Sequence, residues 1–241
     1  MTLRTPGTGA ETQVTAGFVI GCDGARSTVR QWMGATLEDL GFAERWLVVV
    51  VRLTRERPDL GDHTIQYCDP DAPATYVRGP GQRRRWEFAL NGDDAVDTEA
   101  GVWDRLRPWL TPGDAVIERH AVYTFRSLLA GQWHSAGLLL AGDAAHQSPP
   151  FMGQGMCAGI RDAANLAWKI AERQSGRATD ALLDSYTTER RAHVRHYIDK
   201  AIDLGRLINS SAPEAALGPA EAGGTARMAS LSPRLGSGAW R

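Results

Sequence analysis

Apolar residues fall along this chain in two rhythms. The first is short and unbroken. Gly17-Phe18-Val19-Ile20-Gly21 and Gly137-Leu138-Leu139-Leu140-Ala141-Gly142 read as strands buried on both faces, because nothing polar alternates through them. Each ends in Gly and Asp: Gly21-Cys22-Asp23-Gly24 and Gly142-Asp143-Ala144. The second rhythm steps by three and four. Met156, Ile160, Ala163, Ala167 and Ile170 form one apolar face of a helix expected from Gly155 to Arg173. Leu183, Tyr186, Arg190, Val194, Tyr197, Ala201, Leu204 and Ile208 form the stripe of a longer helix expected from Asp180 to Ile208.

Other elements fill the interval. Ser27 suits the N-cap of a short helix through Val29, Trp32 and Met33, with Gly34 as its stop. From about Phe42 to Leu90 the texture is β. Trp46–Leu53, His63–Tyr67, Ala74–Arg78 and Arg85–Leu90 read as strands between Pro, Gly and Asp turns. Thr98 to Leu110 reads as an amphipathic helix ended by Thr111-Pro112-Gly113, and Ala115 to Phe125 as a further strand. The first dozen residues are polar and carry no predicted element. Beyond Asn209 the chain is rich in Ala, Gly, Ser and Pro and reads as a linker or disordered tail.

Composition narrows the function classes. The chain has 241 residues, 43% hydrophobic, and a net charge of -1. A sizeable core is expected, and no global positive field exists to hold DNA or anionic lipid. Cys22, Cys68 and Cys157 lie far apart and form no CxxC, which argues against a disulfide scaffold and suits a reducing cytoplasm. No apolar h-region opens the chain, and the run Leu47 to Val51 is too short to span a bilayer.

The two Gly-Asp turns carry the chemistry. Ligands of parallel α/β sheets sit at the carboxyl ends of strands. A carboxylate there can accept from ribose or ribityl hydroxyls, and the small neighbours allow close approach. The second turn continues through Pro149-Pro150-Phe151-Met152-Gly153-Gln154-Gly155 into a helix. A helix start offers free N–H groups and roughly half a positive charge, which suits a phosphate or the anionic edge of a reduced flavin.

Each motif also has a plainer reading. Asp23-Gly24 alone would read as a plain turn. Asp143 and His146 lack a third metal ligand, so no metal is expected and His146 reads as a packing residue near the cofactor. His193 and His196 read as part of a solvated face with Arg190, Arg191 and Arg195. Arg83-Arg84-Arg85 reads as a solvated strand start, with a nucleotide-phosphate role as the minority reading. Trp46, Trp86, Trp103, Trp109 and Trp133 read as sheet packing, with an aromatic substrate pocket as the minority reading. No Gly-x-Ser-x-Gly elbow is present.

Together Gly142-Asp143-Ala144-Ala145-His146, Pro149-Pro150, Gly153-Gln154-Gly155-Met156, Gly159 and Asp162 through Lys169 resemble the second flavin motif of the aromatic hydroxylases typified by para-hydroxybenzoate hydroxylase. Gly21-Cys22-Asp23-Gly24-Ala25-Arg26-Ser27-Thr28-Val29-Arg30 resembles that family's Asp-Gly motif. Arg84 to Phe88 and Tyr123 to Phe125 look most like the 3-(3-hydroxyphenyl)propionate hydroxylase branch.

The resemblance implies an α/β fold: a partial FAD-binding, glutathione-reductase-like layer with an inserted β-rich substrate-binding sheet. It implies cofactor-side parts at 1–35 and 136–208 and a substrate part at 36–135. It also implies FAD as cofactor and NADH or NADPH as donor. The cofactor contacts it implies are Asp23, Gly24, Arg26, Gly142, Asp143, Pro149, Gly153, Gln154, Gly155 and Met156, with no catalytic residue assigned. The expected partner is a small aromatic substrate, with no nucleic acid and no membrane, and a homo-oligomer is left open. The expected reaction is O2-dependent hydroxylation of a phenolic acid in aromatic catabolism. The other readings are a non-catalytic flavoprotein remnant and a related flavin oxidoreductase acting on a polyketide or lipid-like substrate. A halogenase is disfavoured, since Trp-x-Trp-x-Ile-Pro is absent.

One departure stands out. The family's Gly-x-Gly-x-x-Gly βαβ unit needs ~30 residues or more, and only 16 precede the first predicted strand. Gly7-Thr8-Gly9 lacks a third glycine, and after Gly153-Gln154-Gly155 the next one comes at Gly159, one residue late. The expectation is a chain truncated at both ends that binds FAD weakly or not at all alone.

Overall fold

The computed structural model describes residues 1–69, 71–92 and 98–208. The expected tail, 209–241, lies outside them. Among the described residues, three sheets and two long helices make up most of the fold. A six-stranded antiparallel sheet runs in the order β11-β8-β4-β7-β6-β5. Its strands are β4 (Leu37–Leu53), β5 (Ile65–Tyr67), β6 (Ala74–Arg78), β7 (Arg83–Leu90), β8 (Ala115–Ala130) and β11 (His146–Gln147). A small sheet joins β3 (Val19–Gly21), β10 (Leu138–Leu140) and β9 (His134–Ser135). The polar opening residues form a hairpin of β1 (Thr2–Arg4) and β2 (Glu11–Gln13), an element the pattern did not predict. Both strands are exposed on both faces, so no apolar alternation marks them.

The long strands β4 and β8 exceed the predicted Trp46–Leu53 and Ala115–Phe125, and they link two cores. Their far ends, Phe42, Leu129 and Ala130, pack with β10 and the long helices. Their other halves, Leu47, Val49, Val51, Leu53 and Ala115, pack with Trp86, Phe88 and helix α2 (Glu99–Leu106). Irregular register between Asp39 and Ala43 lets one strand serve both. There Gly41 takes a φ of +80° and its N–H meets Asp39 Oδ1 at 2.9 Å.

Helices α3 (Gly155–Gln174) and α4 (Asp180–Ile208) pack against each other. α4 matches its predicted bounds and buries the predicted stripe, Arg190 included, with Leu204 half-buried. α3 matches its bounds within one residue but not its face. Met156 is 76% exposed and Ile160 59%, while Ala158, Asp162, Leu166 and Lys169 are buried. The helix is turned about a third of the way round from its hydrophobic pattern. Two polar residues are buried because each finds full partners: Asp162 as described below, and Lys169 on Ser185 Oγ (2.7 Å) and Glu189 Oε2 (2.9 Å).

Two other surface readings change. Arg190 is buried and His193 half-buried, so the expected solvated face on α4 is partly interior. Burial and the nearby Arg190 and Arg161 hold the His193 imidazole below its usual value. Arg84 is buried too, because strand alternation turns it inward between exposed Arg83 and half-buried Arg85. Trp46, Trp86 and Trp133 are fully buried, and Trp103 and Trp109 pack against the second core.

Candidate cofactor site

β3 and β10 are parallel neighbours with Val19 opposite Leu138 and Gly21 opposite Leu140. Both Gly-Asp turns therefore leave the same edge side by side. The Ala141 N–H closes the pair on Gly21 O at 3.0 Å. Gly21 is required sterically, since a Cβ there would meet Val29 Cβ at 2.7 Å.

The first turn is organised around α1 (Thr28–Trp32). Ser27 Oγ accepts the Arg30 N–H at 3.0 Å, the cap expected from the sequence. Asp23 Oδ2 accepts Thr28 N–H at 2.7 Å and Val29 N–H at 3.2 Å. Partial burial raises the Asp23 carboxyl, but these bonds and the Ser27 hydroxyl bring it below its usual value. Gly24 has a φ of +80°, which favours glycine. Arg26 is exposed. The arginine that joins the two turns is Arg30, which is buried and donates to Ala25 O at 2.7 Å and Ala144 O at 2.8 Å.

The second turn is held from three helices. Gly142 adopts a φ of +60°, and its N–H reaches Asp162 Oδ2 at 3.0 Å. His146 Nε2 meets the same oxygen at 2.7 Å, and Arg190 Nε meets Oδ1 at 2.8 Å. Burial raises the Asp162 carboxyl, yet His146, Arg190 and the Gly142 N–H outweigh it and leave it below its usual value. The carboxylate is thus the acceptor and the imidazole the donor. Tyr186 donates to Leu140 O at 2.7 Å, and its burial pushes the phenol far up. The His146 ring stacks on Trp133 with centroids 5.4 Å apart. Gly159 of α3 faces Gly142, and a Cβ on Gly159 would lie in ordinary contact, 3.5 Å from Gly142 Cα. Asp143 itself is exposed.

Beyond the turn, Pro149 is buried and Pro150–Met152 forms a single 3-10 turn, closed by Gly153 at a φ of +61°. Phe151 meets Trp46 and Phe42 edge-on at 5.4 and 5.7 Å. Gly205 of α4 makes room for that ring, since a Cβ there would sit 2.5 Å from it. Gln154 begins α3 without a side-chain cap, and its Oε1 accepts from Arg161 at 3.3 Å. Gly153 and Gly155 face open space, and Met156 is exposed.

The structure thus brings Asp23, Gly24, Gly142 and Asp143 to adjoining strand ends and leads Pro149 to Met156 on from the second. The sequence places Arg30, Gly159 and Asp162 only within motifs and Tyr186 and Arg190 only on a helix face, with no role at the turns assigned to any of them, and it does not point to Gly205. One signal was present: Arg190 stands in line with the apolar stripe of α4, where an unpaired arginine would be costly.

Comparisons with known proteins bear on the family and the fold. A family model described as "FAD binding domain" matches residues 1–201. A "Probable NADH-specific resorcinol 4-hydroxylase" of Rhodococcus jostii (strain RHA1) is 49% identical over 198 residues, 80% of this chain and 37% of that protein. A "3-(3-hydroxy-phenyl)propionate/3-hydroxycinnamic acid hydroxylase" of Mycobacterium sp. (strain JLS) is 39% identical over 208 residues, 83% of this chain and 36% of that protein. The chain therefore spans little more than a third of these relatives' length. Among solved structures, aklavinone-11 hydroxylase with FAD and aklavinone superposes with a TM-score of 0.77 at 22% identity, over 89% of this chain and 42% of that one.

Proposed function

This chain belongs to the FAD-binding domain family, and on that premise we propose that it serves flavin-dependent hydroxylation of a phenolic ring, with NADH or NADPH and O2 as co-substrates. The observation that carries the reading is the parallel pairing of β3 with β10, which sets two carboxylate-bearing turns at one sheet edge. Residues 1–35 and 136–208 form the cofactor side in this reading, and 36–135 the substrate side.

The residues present fit a flavin. The exposed Asp143 carboxylate is free to accept from ribityl hydroxyls. The uncapped start of α3, with open space at Gly153 and Gly155, offers N–H groups of Gln154, Gly155 and Met156 to the pyrimidine edge of the ring. The helix dipole adds roughly 0.3–1 kcal/mol, up to ~2 when partly buried, in favour of an anionic edge. Pro149 holds the approach to that start. Asp23, Gly24 and Arg26 border the cofactor from the neighbouring turn. Bound flavin would supply the redox and oxygen chemistry; this chain binds, orients and excludes water.

The ring would lie against the face of the large sheet that carries Trp46, Val48 and Val50. Register places Tyr123, Glu87, Arg85 and Arg119 beside them, and Phe151 packs on Trp46, so this face adjoins the Pro149 to Met156 segment. Arg85 pairs with Glu87 and Arg119 with Tyr123, charges suited to a phenolate or a side-chain carboxylate. The named substrates of both relatives are phenols with a second group meta to the hydroxyl, so a meta-substituted phenol such as resorcinol or 3-(3-hydroxyphenyl)propionate is the substrate class we assign. Three free thiols suit a reducing cytoplasm, and no helix among the described residues is long and apolar enough to cross a membrane.

The test is to titrate the chain with FAD by flavin fluorescence, then follow NADH oxidation and ring hydroxylation with each phenol. Weak but saturable quenching and phenol-dependent product are expected. No saturable binding, or NADH oxidation indifferent to every phenol, overturns the reading.

A further inference from the structure

We propose that Asp162, two turns into the helix that starts at the cofactor edge, is the residue that positions Asp143. The inference rests on the flavin reading above. Asp162 is fully buried and both of its oxygens are engaged. Its Oδ2 holds the residue before Asp143, through the Gly142 N–H at 3.0 Å, and the residue three beyond it, through His146 at 2.7 Å. Its Oδ1 is neutralised by Arg190 at 2.8 Å. Two further side chains complete the frame: Tyr186 on Leu140 O and Arg30 on Ala144 O. Backbone atoms at 140, 142 and 144 are thus each tied to a different helix, while the Asp143 carboxylate between them is exposed.

The orientation of α3 supports this. Placing Asp162 inward turns Met156 and Ile160 out to solvent, against the hydrophobic pattern of the helix. A buried carboxylate is worth this only with complete partners, and three of them converge on it here. Its consequence is a Gly142 φ of +60°, a turn that presents Asp143 outward at the end of β10. Asp162 touches no cofactor; it acts through Asp143.

A double-mutant cycle separates positioning from general loss of fold. Asp143→Ala, Asp162→Asn and their combination are titrated with riboflavin, which carries the ribityl chain, and with lumiflavin, which lacks it. Asp143→Ala should weaken riboflavin about tenfold or more and leave lumiflavin unchanged. Asp162→Asn should reproduce that pattern, and the combination should be no worse than either alone. Because Asp162→Asn strands Arg190, Asp162→Asn/Arg190→Gln is the companion variant, and backbone amide exchange of the flavin-free protein gives a second readout. Faster exchange confined to 142–144 is expected. Additive losses, or a folded companion variant with wild-type riboflavin affinity, overturn the inference alone. Riboflavin affinity unchanged by Asp143→Ala overturns the Asp143 contact and this inference with it, whereas no saturable binding of either flavin overturns the flavin reading.

Discussion

At the end of β3 the Asp23 carboxylate accepts N–H groups of its own short helix, whereas at the end of β10 the Asp143 carboxylate is exposed and other side chains hold its turn. The two turns share a Gly-Asp pattern and lie next to each other, yet the first is held locally and the second from afar. Asp23 acts across five and six residues, Asp162 across twenty. A locally held turn fixes its aspartate in doing so. A turn held by α1, α3 and α4 leaves its aspartate available to a ligand, at the cost of burying a charged cluster.

The contrast is broken most forcefully at that cluster. Arg190→Leu leaves Asp162 a buried anion short of its counter-charge, and a loss of about 3–5 kcal/mol in urea unfolding is expected. Acid should attack the same place. The Asp162 carboxyl is lowered in the fold, so its contribution is complete above the unfolded carboxylate value of about 3.9 and is lost as pH falls through the lower folded value. Unfolding midpoints measured downward from pH 6 should fall below about pH 4, and fall less in Asp162→Asn/Arg190→Gln. Arg30→Met cuts the bridge between the turns, and about 1.5–3 kcal/mol is expected, with both turns losing amide protection. Asp23→Ala removes the anchor of α1 and should cost about 1 kcal/mol. Asp143→Ala should change stability by no more than about 0.5 kcal/mol while weakening flavin. If Asp143→Ala destabilises as much as Asp23→Ala, Asp143 holds its own turn just as Asp23 does, and the contrast between the turns is lost.

Much of the fold could be read in advance where neighbours in sequence make the decision. α4 shows its bounds because its stripe is long and periodic, and Ser27 shows its cap because a serine ahead of an apolar run can accept the free backbone N–H three residues on. β3 and β10 show as unbroken apolar runs. The β1–β2 hairpin escaped notice because it buries nothing, and β4 was read short because Leu37 to Ala43 is interrupted by Gly41 and by polar residues that its register shift accommodates.

The sequence by itself determined the two Gly-Asp turns, the strands that lead into them, the helix starting at Gly155, and the family to which these point. Those features rest on short-range rules of caps, turns and periodicity. Only the tertiary structure decided which face of α3 is inside, which arginine joins the turns, and what holds Asp143 outward. The free energy of those choices lies in long-range pairings, Asp162 with Gly142, His146 and Arg190 and Arg30 with Ala144, and a buried charge is tolerable only where distant partners meet it.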